Sequence, residues 1–141
     1  MPTIFTRIIQ KQIPSWSIGE DDHHVAFLDI DPVVEGHTLV VPKREVDYFF
    51  DLKDEELHRL MTFSKKVSRA IDSVMKPIRT GIVVQGLEVP HAHLHLIPLY
   101  SPDQSMSLSG STKVSEDRMK EIANQIGEEL EAQHDDIRRI T

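Results

Sequence analysis

His91-Ala92-His93-Leu94-His95-Leu96-Ile97 alternates imidazole with aliphatic side chains between Pro90 and Pro98. An extended chain sends successive side chains to opposite faces. The spacing predicts a strand over 91–97 with His91, His93 and His95 on one face and Ala92, Leu94 and Leu96 on the other. Same-face residues sit roughly 7 Å apart. Three imidazoles so placed can reach one shared ligand, but not easily one metal ion. Three neighbouring imidazolium ions would repel, so with an unperturbed pKa of about 6.5 some of these rings are neutral near pH 7. A neutral imidazole is a nucleophile, a proton shuttle or a metal ligand.

The rest of the chain supplies neighbours for this strand. Ile4-Phe5-Thr6-Arg7-Ile8-Ile9 is too short and uniform to decide between helix and strand. Ser17-Ile18 begin a strand, Gly19-Glu20-Asp21-Asp22 turn, and His24–Asp29 form a second strand stopped by Asp31-Pro32. Gly36 opens the β-branched run His37–Val41, closed by Pro42. Connections this short imply an antiparallel meander. From Asp51 the period changes. Leu57, Leu60, Met61, Ser64, Val67 and Ile71 recur at helical steps, predicting a long helix with one face on the sheet. Asp51 or Asp54 would cap it, with Glu55 and Glu56 at the positive end of its dipole, and Pro77 would end it.

Thr80–Val84 read as the next strand, Gln85–Glu88 as a turn, and the histidine strand as the last, stopped by Pro98. A Ser-rich loop covers 101–112. A second helix over 116–132 turns Met119, Ile122, Ala123, Ile126 and Leu130 inward and is weakened by Gly127. Residues 133–141 read as a frayed polar tail. The whole chain, 1–141, is one domain, with 1–100 as its core and the loop, C-terminal helix and tail in 101–141.

Composition removes several classes. At 141 residues the chain needs no disulfide or metal staple to fold. It has no cysteine, so thiol catalysis and cysteine-ligated zinc are excluded. A net charge of −7 disfavours nucleic-acid and anionic-membrane binding. Arg7 and Lys11 interrupt any apolar leader, and no stretch approaches ~20 apolar residues. A soluble, cytoplasmic protein is expected. Of the remaining histidines, His23, His24, His58 and His134 read as surface residues. His37 lies on a separate strand, where it either joins the central three or is a strand-end surface residue. Two of the three with His37 or a carboxylate could alternatively bind zinc.

The histidine segment matches the H-φ-H-φ-H-φ-φ signature of the histidine triad (HIT) superfamily. Phe27-Leu28-Asp29-Ile30-Asp31-Pro32 and Gly36-His37-Thr38-Leu39-Val40-Val41-Pro42-Lys43 resemble a second block of that family, as do Ile4-Phe5, Arg7-Ile8-Ile9 and Glu20-Asp21-Asp22. The similarity spans about residues 3 to 100. His95 at the third position resembles the hydrolytic Hint and Fhit branches. The resemblance implies an α+β fold with a five-stranded antiparallel sheet, a long helix and a C-terminal helix, and a homodimer. It implies hydrolysis or transfer at the α-phosphate of a nucleoside phosphoramidate or dinucleoside polyphosphate, on a purine nucleotide, with no cofactor or metal.

His93, the central ring, would attack the phosphorus and carry the nucleotide covalently. His91 and His95 would donate to phosphate oxygens or the leaving group, with His37 nearby. Asp29 would accept from the ribose hydroxyls, and Phe5, Ile8, Phe27, Leu28 and Ile30 would wall the base pocket. The sequence departs from the family at Gln85-Gly86-Leu87-Glu88-Val89-Pro90. Gln85 stands where relatives often have Asn. Leu87 and Glu88 replace a polar Gln-Ser/Thr pair at the phosphate, and Glu88 and Val89 border the substrate there. An alternative is therefore a nucleotide-binding adaptor with weak turnover.

Overall fold

The structure, a computed structural model, describes residues 2–140. A short helix α1 (Ile4–Ile9) precedes three strands: β1 (Ser17–Glu20), β2 (His24–Leu28) and β3 (Thr38–Pro42). A 3-10 turn at Phe49–Asp51 leads into the long helix α2 (Asp54–Met75). Strands β4 (Arg79–Val83) and β5 (Leu94–Leu99) follow, then helix α3 (Glu116–Gln133). The five strands form one antiparallel sheet in the order β1-β2-β3-β5-β4. The expected α+β architecture and meander are both present. Strand β5, last in sequence, is inserted between β3 and β4.

The sheet has two unlike faces. Ala26, Leu28, Val40, Leu94 and Leu96 meet α2 and α3 in the larger core. Val25, Phe27, Leu39 and Val41 point the other way and close a smaller cluster with Phe5 of α1. Because Leu39 pairs with His95, the histidine face lies on the side of α1. The predicted alternation of imidazole and aliphatic residues holds.

Local chemistry explains the helices. Thr3 caps α1, its hydroxyl accepting from Thr6 N. The cap of α2 is Lys53, whose backbone N donates to Glu56 Oε1 at 3.0 Å. Asp54 is the first helical residue and Asp51 belongs to the 3-10 turn, so neither caps it. Lys76, in the left-handed region at φ 52°, stops the helix before Pro77. The inward face is Leu60, Phe63, Ser64, Val67, Ala70 and Ile71. Met61 was expected there but is 45% exposed. One residue beyond Leu60 on a helix is a rotation of about 100°, which carries Met61 off the core face.

Three further expectations change. Strand β5 begins at Leu94, not His91, since the β3–β5 ladder ends at Val40↔Leu94. The continued register would set Ala92 opposite Pro42, which has no N–H to give. Ala92 N donates instead to Val46 O at 2.6 Å. At its other end β5 runs through Pro98, which pairs with Thr80 of β4 after the β3 ladder has ended at Thr38↔Leu96. Finally, the C-terminal segment is docked rather than frayed. Arg138 pairs with Glu20 on the outer edge of β1, Ile137 is 3% exposed, and Ile140 joins the smaller cluster. The free edge of β1 gives that segment backbone partners. Thr141 lies outside the described residues.

Candidate functional site

Each central histidine is fixed by a different neighbour. His93 Nδ1 donates to the carbonyl of His91 at 2.7 Å. A carbonyl only accepts, so the proton sits on Nδ1 and Nε2 keeps its lone pair. No protein atom among the described residues hydrogen-bonds that Nε2. The Phe5 and His93 rings pack in a T-shape with their centroids 4.8 Å apart, and burial pushes the His93 pKa down. His93 is therefore a neutral imidazole with a free ring nitrogen.

His37, one residue before β3, is fully buried and lies over β5. Its Nδ1 accepts from Val33 N at 3.1 Å, so its proton is on Nε2. That Nε2 is 2.9 Å from His95 Nδ1 and donates to it. His95 must then carry its own proton on Nε2. Burial pushes His37 down to about 4. Burial, then the charges of His37 and His93, pushes His95 down to about 3. The arrangement presents a lone pair on His93 beside an N–H on His95, with the ring centroids 5.1 Å apart.

His91 is different. Its Nε2 donates to Pro42 O at 2.8 Å, and its Nδ1 lies 2.8 Å from the Thr3 hydroxyl. Both ring nitrogens are engaged by protein and the residue is fully buried. The sequence expectation that His91 donates to phosphate gives way: its ring is occupied, and its contribution to His93 is its carbonyl.

Asp29 follows β2. Its Oδ1 accepts from Asp31 N at 2.9 Å, and Oδ2 lies 3.6 Å from His37 Nε2. Burial raises its pKa against the backbone bond from Asp31; the charges of Asp31 and Glu88 add to the rise. Asp29, His37 and His95 bring ligand atoms within 4.8 Å of one another. A cation would need a lone pair on His37 Nε2, the atom that carries the proton. The donor set as arranged therefore does not suit a metal.

Phe5, Ile8, Phe27 and Val89 gather in the smaller cluster next to the triad. Leu28 does not join them; alternation sends it to the larger core on the opposite face. Ile30 is 72% exposed beyond Asp29. Gln85 and Glu88 are exposed on the β4–β5 loop, and Leu87 is 86% exposed. The charge of Glu88 nevertheless reaches Asp29 and His93. Val33, Thr3 and Glu45 were not singled out from the sequence. A backbone N–H carries no sequence signal, and Thr3 offers only the cap-type residue before an apolar run. His24, expected on the surface, is buried, stacked on Phe63 at 5.0 Å with its Nδ1 2.9 Å from Asp21 Oδ1. His23 and His58 are exposed as expected, and His134 is half-buried.

The family model described as HIT domain matches residues 10–102. An uncharacterized HIT-like protein of Borreliella burgdorferi is 34% identical over 131 residues, covering 87% of this chain and 94% of its own. The adenosine 5'-monophosphoramidase of Saccharomyces cerevisiae is 36% identical over 96 residues, covering 67% of this chain and 61% of its own. The solved structure of a hypothetical histidine triad nucleotide-binding protein from Sulfolobus tokodaii superposes with a TM-score of 0.80 at 26% identity, over 91% of both chains.

Proposed function

This chain belongs to the HIT family, a family of nucleotide-binding hydrolases and transferases, and from that premise we propose that it cleaves nucleotides at the α-phosphate through a covalent intermediate on His93. One observation carries the reading: His93 Nε2 has a lone pair while its Nδ1–H is held by the His91 carbonyl. In the first step that lone pair forms a P–N bond as the bond to the leaving group breaks. The carbonyl stabilises the positive charge that develops on the ring. His95 Nε2–H, set by His37, donates to a phosphate oxygen or to the departing group. In the second step water adds to phosphorus as the P–N bond breaks, its released proton replacing the one given to the departing group, and the nucleoside monophosphate leaves with His93 restored.

Asp29 Oδ2 accepts from the ribose hydroxyls, and Phe5, Ile8, Phe27 and Val89 wall a purine, with Ile30 at its rim. The substrate class is a nucleoside phosphoramidate, as the name of the yeast relative supports, or a dinucleoside polyphosphate. A homodimer is part of the proposal. The edge strand β4 exposes Ile82, and Val84 just after it and Met61 on α2 are exposed as well, an apolar strip that a second copy can cover. None of the described helices is long and apolar enough to cross a membrane.

The test is turnover of an adenosine phosphoramidate beside a diadenosine polyphosphate, in wild type and His93→Ala. The variant is expected to lose turnover while binding AMP within about tenfold of wild type, because ground-state contacts are shared among many groups. Wild-type turnover in His93→Ala would remove the nucleophile assignment. Leu87 and Glu88, which offer no donor near the phosphate, favour one second reading. Tight AMP binding without turnover in wild type would make the protein a nucleotide-binding adaptor.

A further inference from the structure

The residues carrying the nucleophile are not held by the sheet. The β3–β5 ladder stops at Val40↔Leu94, which leaves 91–93 outside regular pairing. The segment Pro42–Val46 holds them instead. Pro42 O accepts from His91 Nε2 at 2.8 Å, and Val46 O accepts from Ala92 N at 2.6 Å. Glu45 lies between these two and reaches toward α1. Its Oε1 accepts from Thr3 N at 3.0 Å and from the Thr6 hydroxyl at 2.7 Å.

The short contacts then assign every proton. Pro42 O can only accept, so His91 carries its proton on Nε2 and offers a lone pair at Nδ1. The Thr3 hydroxyl, 2.8 Å away, donates to that lone pair and accepts from Thr6 N at 3.1 Å. The Thr6 hydroxyl spends its proton on Glu45. Hydrogen bonds from the Thr6 hydroxyl and then Thr3 N hold the Glu45 carboxyl below its usual range, so it is an anion at neutral pH. The same α1 places Phe5 in T-shaped contact with both His91 and His93.

We propose that Glu45 is a positioning residue for the nucleophile. Acting through Thr3 and Thr6, it locks the His91 ring, and with it the carbonyl that orients His93. Glu45 touches no reacting atom. Its effect is to keep the His93 proton on Nδ1 and the lone pair on Nε2 aimed at the substrate. The proposal deepens the reading of His93 as nucleophile and rests on it.

The experiment pairs a measurement without substrate with one that needs it. In protein labelled with 15N-histidine, long-range 1H–15N spectra report which ring nitrogen carries the proton. Wild type should show His91 protonated on Nε2 and His93 on Nδ1. Glu45 is exposed, so Glu45→Ala leaves the core intact. In that variant the His93 signal should move toward a mixture of tautomers. Single-turnover nucleotidylation of His93 from an adenosine phosphoramidate should slow about 10–100-fold, the scale of a lost alignment. The KM should change less than the rate, since Glu45 itself touches no atom of the binding pocket. Glu45→Gln keeps a carbonyl acceptor for Thr3 and Thr6 and should recover most of the rate. Thr3→Val should act like Glu45→Ala, and Thr3→Ser like wild type. The proposal is overturned if Glu45→Ala keeps the His93 tautomer, whatever its rate, or if Glu45→Gln is as slow as Glu45→Ala. If the tautomers respond as expected but wild type never forms the nucleotidyl-histidine, the circuit stands and the nucleophile reading fails.

Discussion

Acidification should destabilise the fold through the buried His37–His95 pair. His37 sits at about 4 in the folded protein because it is buried, and near 6.5 in an unfolded chain. Between those values the unfolded chain binds a proton on this ring and the folded chain does not. Stability therefore rises with pH through this window and is lost as pH falls from 6.5 to about 4. Below that, both states are protonated and the loss from this ring is complete. The difference of roughly 2.5 pH units, at about 1.36 kcal/mol each, gives about 3 kcal/mol.

The structural cause is specific. A proton on His37 Nδ1 would face the Val33 N–H that now donates to it. His95, lowered further, adds to the loss but shares its titration with His37. Asp29 opposes it, because a raised carboxyl takes up its proton earlier in the folded state. The assay is urea unfolding at several pH values between about 4.5 and 6, comparing wild type with His37→Asn. Each proton bound only by the unfolded state contributes a slope of about 1.36 kcal/mol per pH unit. The line for His37→Asn should be shallower by about that amount. Parallel lines would refute the buried, neutral His37 and the tautomer chain built on it.

Asp29→Ala should weaken AMP binding by about 1.5–3 kcal/mol, the range for hydrogen bonds to a charged group. The 2′,3′-dideoxy analogue should be insensitive to the same change; equal weakening of both ligands would place Asp29 in the fold rather than on the sugar. Phe63→Ala should cost about 3–5 kcal/mol of unfolding free energy, since it empties a large buried side chain and removes the ring on which His24 stacks. Lys65→Ala, on the exposed side of the same helix, should stay within about 0.5 kcal/mol, and similar losses for the two would reverse the assignment of the α2 face.

Local periodicity was enough for much of this protein. The alternation from His91 to Ile97 told which side chains share a face, because backbone geometry alone sets that. The helical spacing from Leu57 to Ile71 and from Met119 to Leu130 located both long helices. What spacing could not give is which strands are neighbours. His37 and His95 are 58 residues apart and meet only because β5 inserts between β3 and β4. That order depends on which faces bury against each other, a property of the assembled sheet.

The same holds for protonation. The sequence could say that some rings are neutral, from charge repulsion alone. Only the folded chain says where each proton sits, because the partners are backbone atoms that no residue type announces: Val33 N for His37, the His91 carbonyl for His93 and the Pro42 carbonyl for His91. Pro42 shows both levels at once. Its missing N–H is legible in the sequence as the end of a strand. That the gap falls opposite Ala92, releasing His91 and His93 from the sheet into the hold of the Pro42 and Val46 carbonyls, was decided by register, which only the tertiary pairing of β3 with β5 fixes.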